Sequence, residues 1–208
     1  MKKLMTRFGL ILVLFYSQFL LAATADDAQK LIANTTNEML SALEAQKDNL
    51  KSNPEKVYKL VDDIVLGHFD FEFMSKYVLG KRTWQKSTAG QQKAFISAFR
   101  DLLVRTYATS LVDAAGKKVD VTYLPISGEK DSKRITLKTM VKYGDKNIKV
   151  DYGMYAKDGN WQIWDVIVEG VSLVMNYQSD FEKDINDIGM DGLIGKIKSR
   201  NQDALKVK

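Results

Sequence analysis

The sequence predicts an α+β domain: helices first, then an antiparallel sheet of about four strands, then helices again. Three observations carry this. Apolar residues recur at three- and four-residue spacing as far as Leu111, the period changes to two after Gly116, and helical spacing returns beyond Gly170. The corner at residues 161–181 is the most informative stretch. It is apolar on both sides of Gly170 and contains no nucleophile, metal-ligand or phosphate-loop pattern. Such a corner belongs to a core or to an apolar cavity.

Residues 1–25 read as a secretory signal peptide. Lys2, Lys3 and Arg7 form a positive start, residues 8–16 are an unbroken apolar run, and Ala23, Thr24 and Ala25 supply small residues for cleavage after Ala25. The polar residues Ser17 and Gln18 interrupt the stretch short of the roughly 20 apolar residues that span a bilayer. Residues 26–208 then form one domain, long enough to bury a core. Loss of the three leader cations cuts the formal charge of +5 by three, so the basic pI belongs partly to the leader. No concentrated basic, aromatic-studded patch remains, which removes the compositional case for nucleic-acid binding. With no cysteine, an exported chain has neither disulfides nor a lipid-modified terminus, and its stability rests on packing.

Ala28, Leu31, Ile32, Met39, Leu40 and Leu43 form the stripe of a first helix. Asn53 and Pro54 open a second, as N-cap and first helical residue. Its buried face is Val57, Leu60, Val61, Ile64 and Val65, and Gly67 stops it. Asp70 caps a short segment carrying Phe73, Met74, Tyr77 and Val78, closed by Gly80. Thr88 and Gln91 have the form of a capping box and start a long helix. That helix aligns Phe95, Phe99, Leu102, Leu103, Thr106 and Ser110, with Tyr107 and Leu111 beside them.

Three strands show alternation. One carries Val119, Val121 and Tyr123, the next Ile135, Leu137, Thr139, Val141 and Tyr143, and the third Ile148, Val150, Tyr152 and Met154. Turns at residues 144–147 and at Asp158-Gly159 join them and lead to a fourth, on which Trp164, Val166 and Val168 share a face opposite Asp165 and Glu169. Connections this short favour an antiparallel meander with one face under helices. Helices over about 171–188 and 190–204 end the chain.

Val78-Leu79-Gly80, followed by Thr88, Gln91, Phe95, Phe99 and Tyr107, resembles the toluene-tolerance family of MlaC-like periplasmic phospholipid carriers. The more specific match is Trp161, Asp165 and Glu169-Gly170-Val171-Ser172, then Asn176-Tyr177, Phe181 and Gly189-x-Asp191-Gly192-Leu193. The resemblance covers about residues 27–200, and departs at Gln178, where the family frequently has Arg. It implies a curved sheet like that of nuclear transport factor, wrapped by helices around an acyl-chain cavity. It implies a phospholipid shuttle whose partners are an outer-membrane lipoprotein–porin complex and an inner-membrane ABC transporter bearing MCE domains, serving outer-membrane lipid asymmetry. Phospholipid is then cargo, with no cofactor, metal or catalytic residue.

On this resemblance the lipid-binding wall is Met74 and Val78; Phe95, Phe99, Leu102, Leu103, Tyr107 and Leu111; Leu137, Val141, Val150, Tyr152 and Met154; and Trp164, Val166, Val168, Val171, Val174 and Met175. Periodicity alone does not separate such a wall from an ordinary core. A carrier must also open, and the elements expected to move are the helix with Phe95, Phe99, Leu102, Leu103 and Tyr107 and the segment 74–79, flanked by Gly67 and Gly80. The physical demand is large. Exposing each methylene costs about 0.8 kcal/mol, so two tails of ~30 carbons cost on the order of 20 kcal/mol.

Two other readings stand beside the carrier. One is an enzyme on the same architecture, with Asp165 as a base raised by desolvation or with His68, the single histidine, in a catalytic role. The other is a ligand-free adaptor. No G-x-S-x-G, H-E-x-x-H or Walker-type loop is present.

Overall fold

The computed structural model describes residues 23–50, 53–114, 117–126 and 132–206. Most of the expected leader, residues 1–22, lies outside them. Helix α1 spans Ala25–Leu50, α2 Pro54–Ile64, and a 3-10 turn Leu66–His68 leads into α3, Phe71–Lys86, and α4, Ala89–Ala114. Strands β1 (Val119–Tyr123), β2 (Arg134–Tyr143), β3 (Lys146–Lys157), β4 (Asn160–Val168) and β5 (Val171–Ser172) precede α5, Leu173–Lys206.

Local chemistry accounts for the helix starts. Thr24 and Asp27 bond reciprocally at the head of α1: the Thr24 hydroxyl donates to the Asp27 carboxylate at 2.7 Å, and the Asp27 N–H donates to Thr24 Oγ1 at 3.3 Å. The Trp161 indole donates to the Thr24 carbonyl at 2.7 Å, which ties this helix start to β4. The fold thus uses Thr24, which precedes the expected cleavage point. In α4 the capping box forms as read, with Gln91 N–H to Thr88 Oγ1 at 3.2 Å and Thr88 N–H to Gln91 Oε1 at 3.0 Å. Asn53 occupies the α2 N-cap position, but its side chain makes no cap bond.

Asp70 caps α3 by accepting from the Phe73 N–H at 2.8 Å, and it also accepts from Lys157 at 3.0 Å and from the Tyr155 hydroxyl. Burial opposes its ionisation, yet these donors outweigh burial and hold the carboxyl below its ordinary value. A depressed pKa contributes stability that is present above the unfolded value near 4 and is lost as pH falls through the folded one. Asp70→Ala is therefore expected to cost about 0.5–2 kcal/mol at pH 7, with the gap from wild type narrowing below about pH 4. Thermal unfolding at pH 7 and pH 3 checks this, and an equal gap at both would contradict it.

Gly80 does not stop α3. The chain passes through it at φ 69° and ψ 157°, a conformation open to glycine, and the helix resumes to Lys86. Beside this kink the Gln178 amide donates to the Tyr77 carbonyl at 3.3 Å. Gly189, at φ 71° and ψ 178°, likewise divides α5 where two helices were expected.

The sheet is an antiparallel meander in the order β1-β2-β3-β4-β5. Its fifth strand, absent from the expected count, is two residues long and folds back on β4 through Glu169 and Gly170, both at positive φ. Across one face, residues register in rows: Val121 opposite Val141 and Val141 opposite Ile148; Leu137 opposite Tyr152 and Tyr152 opposite Val166. A register shift at Gly153/Met154 leaves Met154 opposite Ile163 and Gly153 opposite Asp165, with Trp164 as the extra residue. The Trp164 indole lies over Gly153, where a β-carbon would stand 3.0 Å from the ring. Trp164 thus points away from Val166, and the shared face expected from strict alternation is broken by the bulge.

Three apolar clusters hold the molecule together. One joins α3, α4 and α5 through Phe95, Phe99, Tyr177 and Phe181. A second seats α1 on the sheet through Ala28, Ile32, Leu137, Met154 and Ile163. A third packs α1, α2 and α4 through Met39, Leu43, Leu50, Val57, Val61 and Ala108.

Candidate functional site

Between the second and third clusters the packing opens into a cleft of ≈ 540 Å³. Helix α1 supplies Ile32, Thr35, Thr36, Met39, Leu40 and Leu43, whose spacing places them on one helical face. The sheet supplies Val119 and Val121 from β1, Val141 and Tyr143 from β2, Ile148, Val150 and Tyr152 from β3, and Ile163 from β4. Val65, Ser110 and Leu111 complete the wall, and Lys146 stands exposed at the hairpin end.

The wall is apolar with a few hydroxyls. Thr139, fully buried on the same sheet face, spends its hydroxyl on the Val150 carbonyl at 2.5 Å. Burial pushes the Tyr152 phenol up to about 12, with the Tyr123 phenol close by. Burial also raises Tyr123, against a hydrogen bond with Thr36. Among the described residues no histidine or carboxylate lines the cleft. It has the means to shield hydrocarbon. A groove of similar size, ≈ 570 Å³, runs beside Gly80, where Val78, Leu79, Ile185 and Met190 share the wall with Lys81, Arg82, Lys86, Gln91, Gln178 and Glu182, a more polar lining than that of the cleft.

Of the residues assigned from sequence, Leu111, Val141, Val150 and Tyr152 line the cleft. Leu137 and Met154 are fully buried in the core that adjoins it. Val166 and Val168 sit half-buried one strand beyond Tyr152 and Val150. Met74, Val78, Phe95, Phe99, Leu102, Leu103 and Val174 belong instead to the separate α3–α4–α5 core. The reason is that α4 packs its early turns against α3 and α5 and lends only its last turns to the cleft. The same packing buries Met74, Val78 and Leu79, while Lys76 and Tyr77 face outward, so residues 74–79 are not a wall of the cleft. Tyr107, Val171 and Met175 are surface residues at 38%, 57% and 50% exposure; Val171 stands on the two-residue edge strand, where the expected helix start would have turned it inward. Sequence reasoning missed the α1 contribution, although the stripe through Ile32, Met39, Leu40 and Leu43 was visible as a buried face.

Asp165 is buried and occupied. Its Oδ2 accepts from the Ser172 hydroxyl at 2.6 Å and its Oδ1 from the Val174 N–H at 3.2 Å, fastening the start of α5 to β4. It lies opposite Gly153, away from the cleft. Asp165→Asn is therefore expected to lower the melting temperature without removing any turnover, because the amide has one acceptor oxygen and turns an NH2 donor toward the other partner. An activity that vanishes in this variant at an unchanged melting temperature would reverse the assignment. His68 lies half-buried in the 3-10 turn, and among the described residues no metal-binding group of His, Asp and Glu forms.

Helices laid over a five-stranded antiparallel sheet, with an apolar cleft between them, define a small α+β protein with an internal ligand-sized cavity. The MlaC protein family model matches residues 33–199, and the chain belongs to that family. It is 26% identical over 201 residues to toluene tolerance protein ttg2D of Pseudomonas putida, covering 93% of this chain and 92% of that one. It is 23% identical over 193 residues to the intermembrane phospholipid transport system binding protein MlaC of Haemophilus influenzae, covering 90% and 89%. Among solved structures, a phospholipid-binding protein of Ralstonia solanacearum, in complex with a phospholipid, superposes with a TM-score of 0.80 at 25% identity, over 86% of this chain and 98% of that one.

Proposed function

We propose that this protein binds phospholipid in the cleft between α1 and the sheet and carries it across the periplasm. In this reading residues 1–25 direct export, and the carrier exchanges lipid with an outer-membrane lipoprotein–porin complex and an inner-membrane MCE-domain ABC transporter, maintaining outer-membrane lipid asymmetry. The single supporting observation is the apolar cleft, in a fold whose Ralstonia solanacearum counterpart is solved with phospholipid. Both the family and the cleft speak for binding and transport over catalysis. Among the described residues the cleft wall holds no histidine or carboxylate, and Asp165, the carboxylate eligible as a base, is committed to the α5 start.

Native mass spectrometry of protein purified from cells, with lipid extraction, tests this. The expected result is a mass increment equal to phospholipid, recovered in the organic extract. Lipid-free protein throughout would favour an adaptor, and turnover of a small hydrophobe would favour an enzyme.

A further inference from the structure

Within the cleft one polar atom has no obvious use. Tyr152 lies on the cleft face of β3, between Leu137 of β2 and Val166 of β4, and its side chain forms part of the wall. Among the described residues its hydroxyl makes no hydrogen bond to the protein; the group that acts on it is the neighbouring Tyr123 phenol. Tyr123 in turn is hydrogen-bonded to Thr36 of α1, and both are half-buried. Three hydroxyls from three elements therefore gather at one place on a largely apolar wall. Tyr152 is half-buried, so its hydroxyl would lose its water when hydrocarbon fills the cleft, and a phenol left unpaired there is costly where phenylalanine would not be.

The surroundings indicate what the hydroxyl meets. Val150, Ile148 and Lys146 continue along the same face of β3 from Tyr152, a run of six residues or about 20 Å at the usual strand rise. Its cleft side is closed by Val121, Val141, Leu40 and Leu43. One leaflet's share of a hydrocarbon core is about 15 Å, half of the total near 30 Å. A single acyl chain thus fits between the hydroxyl cluster and the hairpin end. Thr36 and Tyr123 at the cluster are half-buried and β1 is an edge strand of the sheet, so an oxygen-bearing end placed there would lie near the rim of the cleft.

Resting on the lipid-carrier reading, we propose that the Tyr152 hydroxyl donates a hydrogen bond to the acyl-ester carbonyl oxygen of the bound phospholipid, with Tyr123 and Thr36 beside it, so that the cleft selects ester-linked over ether-linked lipid. The recognised chemistry is an acyl carbonyl, which a free fatty acid also carries. A carbonyl oxygen accepts strongly, whereas the corresponding dialkyl lipid has a methylene at that position and leaves the phenol unpaired.

The test loads delipidated full-length mature protein from vesicles of diester phosphatidylethanolamine, from vesicles of the matching diether lipid, and from palmitate, with uptake read by native mass spectrometry. Wild type is expected to take diester over diether about five- to ten-fold, the effect of one neutral hydrogen bond. Tyr152→Phe is expected to take both equally while keeping its melting temperature, because the lost hydroxyl had no protein partner. Equal uptake of the two lipids by wild type, or a preference that survives in Tyr152→Phe, would overturn the assignment. A preference for palmitate over the diester would overturn the phospholipid as the source of the carbonyl. Uptake of neither lipid by wild type would bring down the carrier reading as well, and is distinguishable from equal uptake of both.

Discussion

Val141→Glu is expected to yield a folded protein that no longer carries lipid. Val141 is half-buried on the cleft wall, paired with Val121 on one side and Ile148 on the other. In the empty cleft a glutamate there reaches water. With acyl chains in place it must be desolvated, at several kcal/mol, and each 1.4 kcal/mol is about tenfold in affinity. Lipid retention should therefore fall by about a hundred-fold or more, read as the lipid-to-protein ratio in native mass spectra. The melting temperature of the delipidated protein should stay close to that of wild type. A folded Val141→Glu protein that retains lipid at the wild-type ratio would show that the cleft is not the binding site.

Phe99→Ala is expected to do the opposite. Phe99 is fully buried and contacts Phe95, Tyr177 and Phe181 at ring-centroid distances of 5.6, 5.4 and 5.9 Å. Truncating such a ring leaves a cavity and costs about 3–5 kcal/mol, equivalent to a fall of roughly 6–20 °C in melting temperature for a domain of this size. Protein that remains folded should keep its lipid, because this cluster lies between helices and outside the cleft. Loss of lipid with little loss of stability would instead restore Phe99 to the cavity wall.

These two variants mark how far the sequence was legible. Element types were readable because hydrophobic period reports which face of a helix or strand is buried, and cap and turn chemistry reports where it starts. Thr88–Gln91, Asp70 and Asp158-Gly159 all behave as their residue types require. The site was harder, because a buried face looks the same whether it meets another side chain or an empty space. Phe99 and Val141 carry equally apolar patterns, and only tertiary packing sends one into a solid core and the other to a cleft. Two exceptions to regular geometry were also invisible. A bulge moves Trp164 to the opposite face of the sheet, and a turn through Glu169 and Gly170 turns Val171 into an exposed edge strand.

The residues that carry the chain's resemblance to its family and those that line the cleft form largely separate sets. Gln91 and Asp191 bond at 3.0 Å, Asp165 and Ser172 fasten the α5 start, and Phe95, Phe99, Tyr177 and Phe181 interlock, all outside the cleft. The cleft draws on one face of α1, the last turns of α4, strand β1 and the β2–β3 hairpin. For protein engineering, that division makes the cleft wall a replaceable cassette. Grafting the α1 stripe and hairpin residues of a relative should retune the length and shape of the hydrocarbon accepted, while the chassis that folds them keeps its own sequence.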